Sequence, residues 1–459
     1  MESTISYWPL IVLLIGTLAI VLFIVVFRLH AFISLMLAAI LVGILGQTVP
    51  AGGNAWVAAV ENAMKEFGVT AGKVSFVIAI ASVLGIALTE SGAAERIVNQ
   101  LIKIFGESRA SIALLVSGFI LSIPVFFDTV FFLLVPLAIV LAQKTGKNFV
   151  LFIMAIGCGA VITHSVVPPT PGPLLMAESL NINMGLSIIV GVISGIIPAF
   201  VGYKYSLRQN ARITILPPDF SDGQDTSNKL SVLPSFGVSM IPILLPLLLI
   251  IAASIVTIFY PDRNDFMTQG ITFLGNKNIA MFLGLLVALY LWAKHKNLDL
   301  KGLGAQMERP LEIAGLIILI TAAGGAFGAM IRNTGIGEMI QAMSANGFSI
   351  NLIFVAWLMA AVVKFAQGSS TVAIITTAGI MSAIISTTTL PFHPIYLYLA
   401  IGYGAMVGSW MNDSGFWIVG KLSGMTEKQT LQTWTTLLAV IGIVGGIQAL
   451  VFSYIFPMV

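Results

Sequence analysis

Apolar runs of about 20 residues, the length a helix needs to cross a bilayer, recur near 7–27, 31–49, 72–89, 148–180, 185–205, 240–259, 279–293, 311–331, 394–420 and 433–456. They predict an all-α, polytopic membrane protein with about ten crossings. Two further apolar stretches, 109–143 and 349–386, are each long enough for two helices but are split by IPVFFDTV and AQGSSTV. Both are read as re-entrant hairpins that return to the side they entered from. AERIVNQLIKIFG at 94–106 alternates at helical spacing and is read as an amphipathic surface segment.

Composition agrees with the pattern. Of 459 residues, 58% are hydrophobic and 9% charged, against roughly 25% charged in soluble domains. The N-terminal MESTISYWPL lacks a basic n-region and a small-residue cleavage site, so it is read as leading into a retained first span. The one cysteine, Cys158, excludes an internal disulfide or thiolate metal cluster and reads as a small buried hydrophobe. A net charge of +3 carries no basic patch for nucleic acid.

With the N-terminus outside, most of the 22 lysines and arginines, among them Arg96, Arg109, Lys204, Arg208, Lys296 and Arg309, fall in cytoplasmic segments. The outside holds only Lys65, Lys73, Arg263, Lys277 and Arg332. This positive-inside bias predicts both termini outside and supports the hairpins, since a full crossing at either would invert every later loop.

The halves resemble each other. LGIALTESGAAERI at 84–97 aligns with FGAMIRNTGIGEMI at 327–340, Asp128-Thr129-Val130 with Ser370-Thr371-Val372, and Gly157-Cys158-Gly159-Ala160 with Gly402-Tyr403-Gly404-Ala405. All three matches lie at an offset of about 243 residues, in order. The chain therefore divides into a first repeat over 1–207 (hairpin 109–143, broken helix 148–180), a cytoplasmic linker over 208–234, and a second repeat over 235–459 (hairpin 349–386, broken helix 394–420). An odd number of crossings per half requires the second copy to be inverted. Inverted repeats with interrupted helices point to a secondary transporter and to its central site.

Four breaks fall at membrane depth: FFDTV, THSVVPPTPGP, QGSSTV and WMNDSGFW. Four prolines in six positions, Pro168, Pro169, Pro171 and Pro173, cannot sit inside an ordinary spanning helix. Unpaired backbone is tolerated there only when it faces protein or a wet cavity. Helices restarting near Thr129, Gly172, Ser370 and Gly415 would aim free amides at a pocket suited to a carboxylate. The candidate substrate-binding residues are Phe127, Asp128, Thr129, Thr163, His164, Ser165, Thr170, Gly172, Gly368, Ser369, Ser370, Thr371, Asn412, Asp413, Ser414 and Gly415. Asp128, His164, Lys364 and Asp413 are candidates for proton coupling or charge pairing, because ionisable groups at this depth are costly. Each has a structural alternative: Asp128 and Asp413 as helix caps, His164 as a hydrogen-bonded core residue, Lys364 as a snorkelling chain.

At SGAAERI (91–97), THSVVPPTPGP (163–173), PSFGVS (234–239), GGAF (324–327), GSSTVA (368–373) and NDSGFW (412–417), the sequence resembles the gluconate permease (GntP) family over nearly its full length. The resemblance implies a proton symporter of the bacterial inner membrane for gluconate or a related small hydroxy or amino acid. It also implies an elevator-type transport domain moving against a dimeric scaffold, and hence a homodimer. Two positions depart from the family: Phe127-Asp128-Thr129-Val130 replaces an aromatic-Glu-Val-Gly run, and Thr170 stands where many members have histidine.

The expected function is import of a small organic anion, a gluconate-like sugar acid or related hydroxy acid, by proton symport through alternating access, without cofactor or metal. A sodium-coupled carrier is the alternative, since the hydroxyl-rich tips also suit hard cations. A membrane-embedded enzyme is remote: HExxH, GxSxG and a phosphate loop are all missing. A channel fits two closed hairpins less well than alternating access does.

Overall fold

The computed structural model describes residues 6–46, 54–145, 148–218, 233–260, 262–263, 265–339, 351–386 and 388–458. Most of the linker expected over 208–234, and the first residues of the 349–386 stretch, lie outside the described residues.

The described chain is helical throughout. The first half contains α1 (Trp8–Val21), α2 (Ala31–Leu45), α3 (Ala55–Glu90), α4 (Ala93–Phe105), α5 (Ala110–Leu121), α6 (Phe127–Thr145), α7 (Phe149–Val166), α8 (Pro171–Ser179), α9 (Met184–Ser194) and α10 (Ile196–Asn210). The second contains α11 (Phe236–Phe259), α12 (Phe266–Leu274), α13 (Lys277–Lys296), α14 (Leu300–Gln306), α15 (Glu308–Arg332), α16 (Leu352–Gln367), α17 (Ser370–Ile385), α18 (Ile395–Gly404), α19 (Ser414–Leu422), α20 (Glu427–Thr430) and α21 (Thr436–Ile455).

Among the described residues, eight helices are long and apolar enough to cross a membrane, rather than ten. Trp8–Ile24, Ala31–Leu45 and Ile395–Gly404 are too short by that measure; the last stops because the backbone unwinds before Asp413. Conversely Phe127–Lys144, expected as the short return of a hairpin, is itself long enough to span. The amphipathic segment is α4, whose Ile97, Val98 and Leu101 are buried; Gly106 follows it, and the chain bends by 108° into α5.

Packing places the proline-rich break deep in the protein. Phe149–Ser179 is 94% buried over its most apolar window, because α7 lies between α5, α6, α10 and α18. Helices α5 and α7 touch backbone to backbone: a Cβ on Gly159 would lie 2.1 Å from the Leu115 carbonyl oxygen. A second close approach joins α15 and α17. There a Cβ on Gly328 would lie 2.3 Å from Gly379 Cα, and one on Gly324 would meet Ile375 at 2.1 Å. Small residues at such crossings permit contact without lipid between the helices. Gly328→Ala is expected to lower stability by about 1–3 kcal/mol through overpacking, read as an earlier midpoint in thermal unfolding of the purified protein; an unchanged midpoint would show that the crossing yields freely.

Lys277, at the start of α13, ties three elements together. Its ammonium donates to Glu178 Oε1 of α8 at 2.5 Å and to the Lys73 carbonyl of α3 at 3.1 Å.

Candidate functional site

The turn joining α5 to α6 spans Ser122–Phe126. Aromatic packing holds its far side: the Phe127 ring lies 5.5 Å from Phe131 and 5.2 Å from Trp434. This leaves Asp128, in the first turn of α6, facing open space. Its carboxylate accepts no hydrogen bond and forms no ion pair among the described residues.

The proline run separates α7 from α8. Thr170 Oγ1 donates to the carbonyls of His164 at 2.9 Å and Val167 at 3.0 Å, closing the end of α7. Tyr398 Oη donates to Val166 O at 2.9 Å from α18. Pro171 then starts α8, its missing N–H being no loss at that position. His164 Nδ1 and Ser165 Oγ, both buried, have no partner among the described residues.

The turn from α16 to α17 needs Gly368, which sits at φ +89° with its Cα against the Asn412 carbonyl. Ser369 caps α17 by accepting from Val372 N at 3.3 Å. One turn earlier, Lys364 is only 1% exposed. Its Nζ donates to Asp413 Oδ2 at 2.7 Å and to the Gly368 carbonyl. Asp413 is fully engaged: Ser409 also donates to Oδ2, and Gly415 N donates to Oδ1 at 3.0 Å, making Asp413 the cap of α19. Trp434 Nε1 supports Ser409 Oγ at 2.8 Å. Asn412 and Trp410 donate to the Phe365 carbonyl at 2.8 and 2.9 Å, fastening the two turns to each other.

All four breaks border one cavity of about 460 Å³. Phe127, Asp128, Thr129, His164, Ser165, Ser369, Ser370, Thr371, Asp413, Ser414 and Gly415 line it. Thr163, Thr170, Gly172, Gly368, Asn412 and Lys364 do not. The Thr163 hydroxyl turns back to Gly159 O and Ala160 O, Gly172 packs on Ile374, and the other four hold the turns as described. Sequence reasoning missed the opposite wall, where α3 supplies Ser82, Gly85 and Ile86, and α15 supplies Ile313, Leu316, Ile317 and Ile320. No local signal separates these from other apolar helix residues. It also missed Ser409, which acts through Asp413, and Trp434, which lines the cavity itself while packing on Phe127 and holding Ser409.

The two walls differ in kind. The turns present hydroxyls, an imidazole and carboxylates, whereas the α3/α15 wall is apolar apart from Ser82, whose hydroxyl is spent on Pro310 O at 2.6 Å. A ligand's polar groups can therefore be held only from the side of the turns. Helix α15 lines the cavity with its N-terminal half and then packs tightly on α17 at Gly324 and Gly328, between the cavity and Arg332. Among the described residues, no group of three or more His, Cys, Asp or Glu side chains could hold a metal ion.

Residues 8–455 match the family model described as GntP family permease. The chain is 32% identical to the gluconate permease of Pseudomonas aeruginosa, covering 94% of each chain. It is 30% identical to the low-affinity gluconate transporter of Escherichia coli K12, covering 96% of this chain and 98% of the other. It is 28% identical to the Gnt-II system L-idonate transporter of the same organism, over 95% and 98%. Among solved structures, the Alcanivorax borkumensis YdaH transporter superposes with a TM-score of 0.63 at 15% identity, over 96% of this chain and 99% of that one, a likeness of fold.

Proposed function

Given that the chain belongs to the GntP permease family, we propose that it imports a monocarboxylic sugar acid of the gluconate class by proton symport through alternating access. Relatives named for gluconate and L-idonate transport support the substrate class. The observation that carries the reading is the unpaired Asp128 carboxylate in a cavity whose remaining charges cancel.

Three of the four restarting helices suit an anion poorly: α6 carries the Asp128 charge in its first turn, α8 opens with proline, and α19 is already capped by the Asp413 carboxylate. Helix α17 remains, and its first amides, at Ser370 and Thr371, receive the substrate carboxylate at the positive end of the dipole. His164 Nδ1 and Ser165 Oγ, unpartnered and buried, take the hydroxyls of the ligand chain, because leaving such groups unpaired costs about 1–3 kcal/mol each.

Charge balance supplies the coupling. Lys364 and Asp413 neutralise each other, so the cavity keeps one net negative charge on Asp128. A second carboxylate about 5 Å away adds roughly 3 kcal/mol of repulsion at an effective dielectric near 20. A proton on Asp128 removes that repulsion, so anion and proton bind together.

The hairpins and broken helices form the moving body and α3 and α15 the wall it passes, in two inverted repeats of a dimeric inner-membrane protein. The lysine- and arginine-rich ends face the cytoplasm and both termini face out; the cavity, closed toward Arg332, is reached from inside. D-gluconate uptake into proteoliposomes is expected to accelerate several-fold when the outside is acidified. Uptake that follows sodium and ignores the proton gradient would refute proton coupling, and failure of gluconate to raise the protein's unfolding temperature would refute the substrate class.

A further inference from the structure

A second cavity, of about 520 Å³, lies at the other end of the α15/α17 crossing. The two helices start side by side at the central cavity, pack through Gly324 on Ile375 and Gly328 on Gly379, and end at Arg332 and Ile385, which both line the second cavity. From Ile320 to Arg332 the helix rise gives about 18 Å. The two cavities are thus opposite ends of one seam between the proposed moving body and its wall.

The second cavity has its own polar set: Ser179 and Asn181 after α8, Arg332, Ser382 and His393. Among the described residues, no carboxylate lines it. Arg332 is exposed into it and forms no ion pair among the described residues. His393 is anchored, its amide donating to Pro457 O at 2.8 Å and its Nδ1 accepting from Ile395 N at 3.1 Å. Burial holds the imidazole below its ordinary value, so it is neutral at pH 7. One fixed positive charge, with hydroxyl and amide donors beside it, suits a small hydroxylated monoanion and does not suit a cation.

On the reading that the chain carries such an anion, we propose that this cavity is a separate, low-affinity recruiting site for the substrate carboxylate at the outer end of the seam, with Arg332 supplying its charge. The site raises the local anion concentration at the closed outer mouth, so the ligand is already in place when the moving body exposes the central cavity to that side. Such a role acts on encounter from one face only. It contributes nothing to affinity at the central cavity.

Arg332→Gln and Arg332→Lys test it, with D-gluconate import by intact cells and the reverse flux in inside-out vesicles measured against substrate concentration. At low salt, Arg332→Gln is expected to raise the import KM about fivefold, while Arg332→Lys stays within about twofold of the unaltered protein. The defect shrinks toward unity near 0.3 M salt, where screening falls to within about 6 Å, and the KM of the reverse flux does not move. An equal change in both directions, a salt-insensitive change or no change overturns the site. Absence of gluconate transport by the unaltered protein would instead sink the functional reading, and this site with it. Both variants alter an exposed side chain, and an unshifted unfolding temperature in detergent confirms that they fold.

Discussion

Replacing Asp128 with asparagine is expected to make gluconate uptake indifferent to an external proton gradient and to cut net accumulation by at least about tenfold, while exchange of internal for external gluconate persists. Asparagine keeps the size and polarity of the side chain and removes only the titrating proton. Binding in the central cavity then no longer requires protonation, since the charge that opposed the anion is gone. The carrier still binds and reorients with substrate, so exchange survives. Uphill uptake fails because no proton accompanies the anion. Counterflow and gradient-driven uptake in the same proteoliposomes check this, and uphill uptake retained by Asp128→Asn would remove Asp128 from the coupling mechanism. Asp413→Asn has a different expected signature. Its carboxylate is saturated by Lys364, Ser409 and the Gly415 amide, so the loss appears first as instability.

Lys364→Met is expected to destabilise the protein by about 3–5 kcal/mol, the cost of leaving one member of a buried ion pair without its partner. Lys364 is almost wholly inside the protein, and its ammonium reaches both the Asp413 carboxylate and the Gly368 carbonyl. Deleting it leaves a buried negative charge and loosens the α16/α17 turn together. The double variant Lys364→Met, Asp413→Leu is expected to regain much of the stability, because the uncompensated charge disappears. Transport is not regained, since Asp413 also caps α19 beside the cavity. Unfolding midpoints of the two single variants and the double variant give the coupling directly. Additive losses would show that the pair contributes no interaction of its own.

These two residues also mark where reading the chain stops being sufficient. Asp128 and Asp413 are indistinguishable in sequence: each is a carboxylate beside a hydroxyl residue at a break in an apolar run. Only the folded chain separates them. Lys364 from α16 and Ser409 from the turn before α19 both donate to Asp413, whereas no described residue donates to Asp128. In the same way Thr170 and Thr371 read alike, yet one hydroxyl closes a helix end while the other faces the cavity.

From the sequence alone came the helical class, the family and the position of the four interruptions. Each depends on chemistry that is local along the chain: apolar length against bilayer thickness, proline without a donor, glycine where the backbone must turn. The tertiary structure decided which interrupted segments share a cavity, which charges cancel, and that α3 and α15 form its apolar wall, as well as that eight described helices are long enough to span. Those outcomes depend on contacts between residues dozens to hundreds of positions apart, such as Lys364 with Asp413 and Gly328 with Gly379. A helix face carries no local mark of what will pack against it.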